Sequence, residues 1–145
     1  LFALRGDGKN DFWRYSTSGD SWTPMADTLG NVKQGGALAY TGGDYIFAFR
    51  GAKKDFWRYQ TSLDFWVPVK KAPDNVEFGG ALAYDGGIEI YALRGSGKKD
   101  FWRYTIPIED VFEYNLRAKV DKKYRIDARI RISGGTVTVL MWDIN

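Results

Sequence analysis

Apolar residues along this chain come in short runs rich in aromatic side chains, cut off by Gly-Gly, Asp-Gly and Ser-Gly, with no long stretch of 3.6-residue periodicity. Runs of this length between turn residues predict β-strands, because a helix needs ten or more periodic residues. The runs also repeat. Asp11 Phe12 Trp13 Arg14 Tyr15 returns at Asp55 to Tyr59 and at Asp100 to Tyr104, at intervals of 44 and 45 residues. Phe2 Ala3 Leu4 Arg5 Gly6 corresponds to Phe47 to Gly51 and to Tyr91 to Gly95. Trp22 and Pro24 correspond to Trp66 and Pro68, and Gly35 Gly36 Ala37 Leu38 Ala39 Tyr40 to Gly79 through Tyr84. Each full period holds four short strands, and one copy of such a unit cannot bury its own apolar face.

Four strands in a period of this length make a propeller blade. With paired glycines, a Tyr on the third strand and a Trp a few residues later on the fourth, residues 1 to about 105 resemble the Kelch-type β-propeller repeat. Two features depart from it. The strand that ends in Gly-Gly in that family ends here in Arg-Gly, and the Gly pair instead opens the next innermost strand. The first copy begins at its second strand, the second runs complete from Gly35 to about Val69, and the third supplies three strands. Beyond these, Val111 stands where the next Trp is due, and no Pro follows. About two and a half blades cannot close a ring that typically needs roughly four to eight.

Residues 106–145 carry no repeat. Phe112, Tyr114, Leu116, Ala118 and Val120 alternate with polar residues, and so do Tyr124, Ile126, Ala128, Ile130 and Ile132. Asp121 Lys122 Lys123 and Ser133 Gly134 Gly135 separate these runs from each other and from a last run, Thr136 to Ile144. The pattern predicts an antiparallel three-strand meander, small for independent stability. The expected fold is therefore all-β: an incomplete array of four-stranded Kelch-like blades over 1–105, then an antiparallel meander or sandwich-like segment over 106–145. Leu1 inside a strand and Asn145 directly after one suggest a piece of a longer repeat protein, or strands completed by neighbouring subunits.

Strand alternation sends Phe12 and Arg14 to one face and Trp13 and Tyr15 to the other, and both faces of a blade pack on neighbours. Structural use of the aromatics is the default reading, given the area such rings bury. The candidate interface or ligand residues are Trp13, Arg14, Trp57, Arg58, Trp102 and Arg103 of the motif, with Arg5, Arg50 and Arg94 on the strand beside it. An Arg stacked on Trp, or paired with Asp11, Asp55 or Asp100, would tie strands or blades together. The glycine pairs Gly35–Gly36 and Gly79–Gly80 suit close backbone approach, since no helix follows them to make a phosphate site.

Composition narrows the chemistry. The chain has no Cys and no His, which removes thiolate nucleophiles, Ser-His-Asp triads and Cys/His zinc sites. No catalytic residue, metal or cofactor is expected. A net charge of +3 is spread along the chain rather than concentrated, which disfavours nucleic-acid binding, and no apolar run reaches membrane-spanning length. Aromatic content of 17% argues against disorder.

Three functions remain. The first is a non-enzymatic structural protein, extracellular or on the cell surface by resemblance, that self-associates into a homo-oligomer or filament through blade faces and open strand edges. The second is a glycan- or protein-binding propeller module of a longer surface protein, expected to expose aromatics at equivalent places on every blade. The third is a carboxylate-dependent hydrolase, which needs two facing acids. The first is preferred, because exposed apolar faces and strand edges favour pairing.

Overall fold

The computed structural model describes residues 1–107 with their side chains and the backbone of residues 114–121, 124–133 and 136–143. Among them there is no helix, and the chain divides into two compact units, Leu1–Thr105 and Ile106–Asn145.

The first unit is three antiparallel sheets. The first sheet orders β1 (Phe2–Leu4), β2 (Phe12–Ser16) and β3 (Ser21–Met25) side by side. The second has four strands, β4 (Ala37–Tyr40), β5 (Tyr45–Phe49), β6 (Phe56–Gln60) and β7 (Phe65–Pro68), again in chain order. The third has β8 (Ala81–Tyr84), β9 (Glu89–Leu93) and β10 (Phe101–Thr105). The sheets stay open and no closed propeller forms among the described residues, in agreement with an incomplete array. Equivalent residues pair in equivalent register: Phe2 opposite Arg14, Phe47 opposite Arg58, Tyr91 opposite Arg103.

The connection between sheets is held by backbone hydrogen bonds. After β3 the chain crosses the β1–β2 loop in an isolated bridge between Lys9 and Val32, where the Val32 N–H donates to the Lys9 carbonyl and the Val32 carbonyl accepts from the Gly8 N–H. The Lys33 N–H then donates to the Arg50 carbonyl as the chain enters the second sheet. The next connection repeats this: Val76 N–H donates to Lys53, then Glu77 N–H to Arg94. Val32 and Val76 are fully buried as a result, which converts a polar loop into part of the core.

Three of the four paired glycines, Gly35, Gly36 and Gly80, serve close approach, whereas Gly79 faces open space with a φ of 80°. A Cβ on Gly35 would lie 2.1 Å from the Glu77 carbonyl oxygen, and one on Gly36 or Gly80 would strike the Val32 or Val76 side chain of its own connection. The Arg-Gly glycines Gly51 and Gly95 have φ of 73° and 84° and lie against the backbone that leads into the first strand of their own sheet.

The second unit is one antiparallel sheet, β11 (Tyr114–Asp121), β12 (Tyr124–Ser133) and β13 (Thr136–Asp143), with a register shift between Lys119 and Asp121. Its strand spans follow the alternation in the sequence to within two residues. Val111, Phe112, Lys122, Lys123, Gly134 and Gly135 lie outside the described residues.

Candidate interaction site

The main core lies between the first and second sheets. Phe12 and Phe2 stack at 5.5 Å, and Phe12 meets the rings of Tyr59 and Trp66 edge-on, at 4.9 Å each. Val32, Ile46, Ala48 and Trp57 close the cluster, with Leu4, Met25 and Leu38 packed against it. The Phe12 side of one sheet thus meets the Tyr59 side of the next, as alternation about the motif requires.

A polar clasp fixes this joint. The Trp66 indole Nε1–H donates to the Ala26 carbonyl at 3.0 Å, and the Ala26 N–H donates to Asp64 Oδ1 at 2.8 Å. The same carboxylate oxygen accepts the Tyr59 hydroxyl at 2.6 Å. Both backbone groups of Ala26, where the first sheet ends, are satisfied by the second sheet. Burial first, and then the bond to Asp64, push the Tyr59 phenol far above its ordinary pKa, so it stays a donor.

The Tyr–Phe contact of the joint recurs between the second and third sheets. Tyr104 takes the place of Tyr59, with its ring 5.7 Å from Phe47 and 5.1 Å from Phe56, and burial raises its pKa too. The outer faces of these three sheets carry the same residues at higher exposure. On the first sheet Trp22 lies over Tyr15 at 5.0 Å and the Tyr15 hydroxyl donates to Asp20, yet Trp22 is 56% exposed where Trp66 is 6%. On the third sheet Tyr91 and Phe101 stack at 5.5 Å, and Phe101 is 62% exposed where Phe12 is 1% and Phe56 is 3%.

The nine residues singled out from the sequence divide by position. Trp57 is buried in the joint, whereas Trp13 and Trp102 are half-buried, so the motif tryptophans do not form one equally exposed ligand row. Arg58 lies over the Tyr45 ring at 4.5 Å; Arg14 and Arg103 are exposed, the latter 3.8 Å from Glu89. Arg5, Arg50 and Arg94 each pair with the motif aspartate: Asp11 at 3.2 Å, Asp55 at 2.8 Å and Asp100 at 3.3 Å. Two of them reach further. Arg50 Nε donates to the Asn31 carbonyl and Arg94 Nε to that of Asn75, tying the strand end to the inter-sheet connection. Lys71 joins Asp55 at 3.4 Å, and Asp74 bridges Arg94 at 2.8 Å and Lys54 at 3.8 Å. Arg50 has Gly30 where Arg94 has Asp74, and a Cβ on Gly30 would come within 3.2 Å of the guanidinium.

Sequence reading passes over the clasp aspartates, although their signal is present. An Asp stands five residues after the motif Tyr and two before the Trp in both Tyr15–Asp20–Trp22 and Tyr59–Asp64–Trp66. The Ala26 contribution is backbone and leaves no such signal.

The acidic groups predict a pH response. Asp44 accepts the Ser62 hydroxyl at 2.5 Å, the Thr61 hydroxyl at 2.6 Å and the Ser62 N–H at 2.6 Å, which lowers its pKa from 3.8 to about 2. Asp55 is lowered chiefly by Arg50, and Asp74 chiefly by the Asn75 N–H. Each folded pKa lies below its unfolded value, so the stabilisation is present above the unfolded value of 3.8 and is lost as pH falls toward about 2. Thermal melts should show the midpoint falling between about pH 4 and pH 2, with a shallower fall in Asp44→Asn.

Among the described residues no group of acidic side chains is placed to hold a metal ion, and no helix is long and apolar enough to cross a membrane. Fold and site define an all-β array of blade-like sheets joined face to face by an aromatic contact with a polar clasp. No protein-family model and no curated protein matches the chain.

Proposed function

We propose that this chain is a non-enzymatic structural module, built of Kelch-like blades and working outside the cell or at its surface, that self-associates through its blade faces. One observation carries the reading: Phe101, Leu93 and Trp22 are each at least 50% exposed, although their equivalents in the inner joints are buried or packed in the core. Large exposed apolar patches favour association. A joint between unlike faces repeats into a ring when its rotation closes and into a filament when it does not.

A glycan- or protein-binding module is the second reading, and a groove of about 460 Å³ lined by Ala3, Leu4, Arg5, Trp13 and Trp22 favours it. Light scattering and electron microscopy over a concentration series separate the two. Rings or fibres growing with concentration support assembly. A monomer at every concentration removes assembly and leaves the groove as the lead.

A further inference from the structure

Both joints of the first unit set a Phe side against a Tyr side, and its two outer faces are one Phe side and one Tyr side. We infer that the Tyr91–Leu93–Phe101 face of one copy seats on the Trp13–Tyr15–Trp22 face of a second copy, head to tail, in the arrangement of the inner joints. This rests on the assembly reading and adds to it the faces, their polarity and the residues.

Correspondence between the faces is specific. On the third sheet, Phe101 stands where Phe12 and Phe56 stand, Leu93 where Leu4 and Phe49 stand, and Tyr91 where Phe2 and Phe47 stand. The receiving surface is set in advance: Tyr91 and Phe101 stack at 5.5 Å and 8°, as Phe2 and Phe12 do at 5.5 Å and 14° inside the first joint. On the first sheet, Trp13, Tyr15 and Trp22 stand where Trp57, Tyr59 and Trp66 enter that joint. The Tyr15–Asp20 hydrogen bond matches Tyr59–Asp64, so this one bond of the clasp is formed before any partner arrives. Holding these groups in bound geometry beforehand reduces the ordering cost of association.

Like faces make a poorer match. Phe101 against a second Phe101 face would bring together two surfaces that each supply the Phe side, and would leave the exposed Trp22 of both copies uncovered. Pairing of unlike faces is heterologous. The three sheets of the first unit place six in a closed pair, inside the range of roughly four to eight for closed propellers.

The test uses two charge insertions in the full chain, Phe101→Glu and Trp22→Glu, followed by sedimentation velocity. The unmodified chain should sediment above monomer mass. Each variant alone should be monomeric, and an equimolar mixture should restore a dimer, because each variant keeps the face that the other has lost. Thermal melts check folding, and Leu93→Lys replaces Phe101→Glu if the latter fails to fold. Assembly unchanged in both variants would overturn the face assignment and leave self-association standing. Loss of assembly in only one variant would point to pairing of like faces and also overturn it. A monomeric unmodified chain would remove the assembly reading and this inference together.

Discussion

Trp66→Ala is expected to lower the unfolding free energy by about 3–5 kcal/mol, the range for deleting a buried large aromatic. Trp66 is 6% exposed, contacts Phe12, Trp57 and Tyr59, and supplies the indole donor to Ala26. Its removal opens a cavity at the centre of the joint and leaves a carbonyl without its partner. Against a total stability of about 5–15 kcal/mol for a domain, this is enough to populate unfolded chain. Trp66→Phe keeps much of the ring and loses the N–H, so it should fall between the two, with about 0.5–1.5 kcal/mol assigned to the hydrogen bond. Trp22→Ala, the same residue type in the equivalent strand, should cost less than about 1 kcal/mol in the monomer, because Trp22 is 56% exposed. Urea unfolding followed by circular dichroism measures all three. Equal costs at 22 and 66 would contradict the assignment of Trp66 to the joint.

Gly51→Ala should rank among the most damaging of the glycine substitutions. Its φ of 73° already penalises any side chain by about 1–2 kcal/mol. The added Cβ would also lie 2.4 Å from the Lys33 carbonyl oxygen, 2.5 Å from that of Gln34 and 2.6 Å from the Gly36 nitrogen. Those backbone atoms cannot retreat freely. Lys33 N–H is bonded to the Arg50 carbonyl at 2.9 Å, and Ala52 N–H to the Gln34 carbonyl at 3.1 Å. Forced overpacking adds about 1–3 kcal/mol, so a total of about 2–5 kcal/mol is expected. Gly6→Ala is the control: φ is 70°, yet nothing stands within 4 Å of the added Cβ, which leaves only the conformational term of about 1–2 kcal/mol. Chemical denaturation midpoints should rank unmodified chain, Gly6→Ala, then Gly51→Ala. A Gly51→Ala variant as stable as Gly6→Ala would show that the β5 end does not press on the inter-sheet connection.

Much of this is legible in the sequence. Strands as short as Phe2–Leu4 and Ala37–Tyr40 are placed by the repeat itself, because three aligned copies of the one and two of the other locate a segment that one copy would leave ambiguous. The pairing of Arg5, Arg50 and Arg94 with the motif aspartates follows from their adjacency on neighbouring strands. The clasp is half legible. Asp64 and Trp66 repeat with Asp20 and Trp22, but their partner is the peptide of Ala26, and a backbone partner imposes no side-chain pattern.

By itself, then, the sequence determined the all-β class, the period, the strand count of each sheet and the sorting of motif residues to alternate faces. All of these are local or periodic properties, written in spacing and turn residues. Only the tertiary structure decided which of several identical residues is inside. Trp22 and Trp66 share their surroundings in sequence, as do Phe12, Phe56 and Phe101, yet Trp22 and Phe101 are exposed and the others are buried. The physical reason is that burial belongs to the neighbour: an aromatic face loses its water only when another sheet covers it, and within the first unit only the second sheet lies between two others.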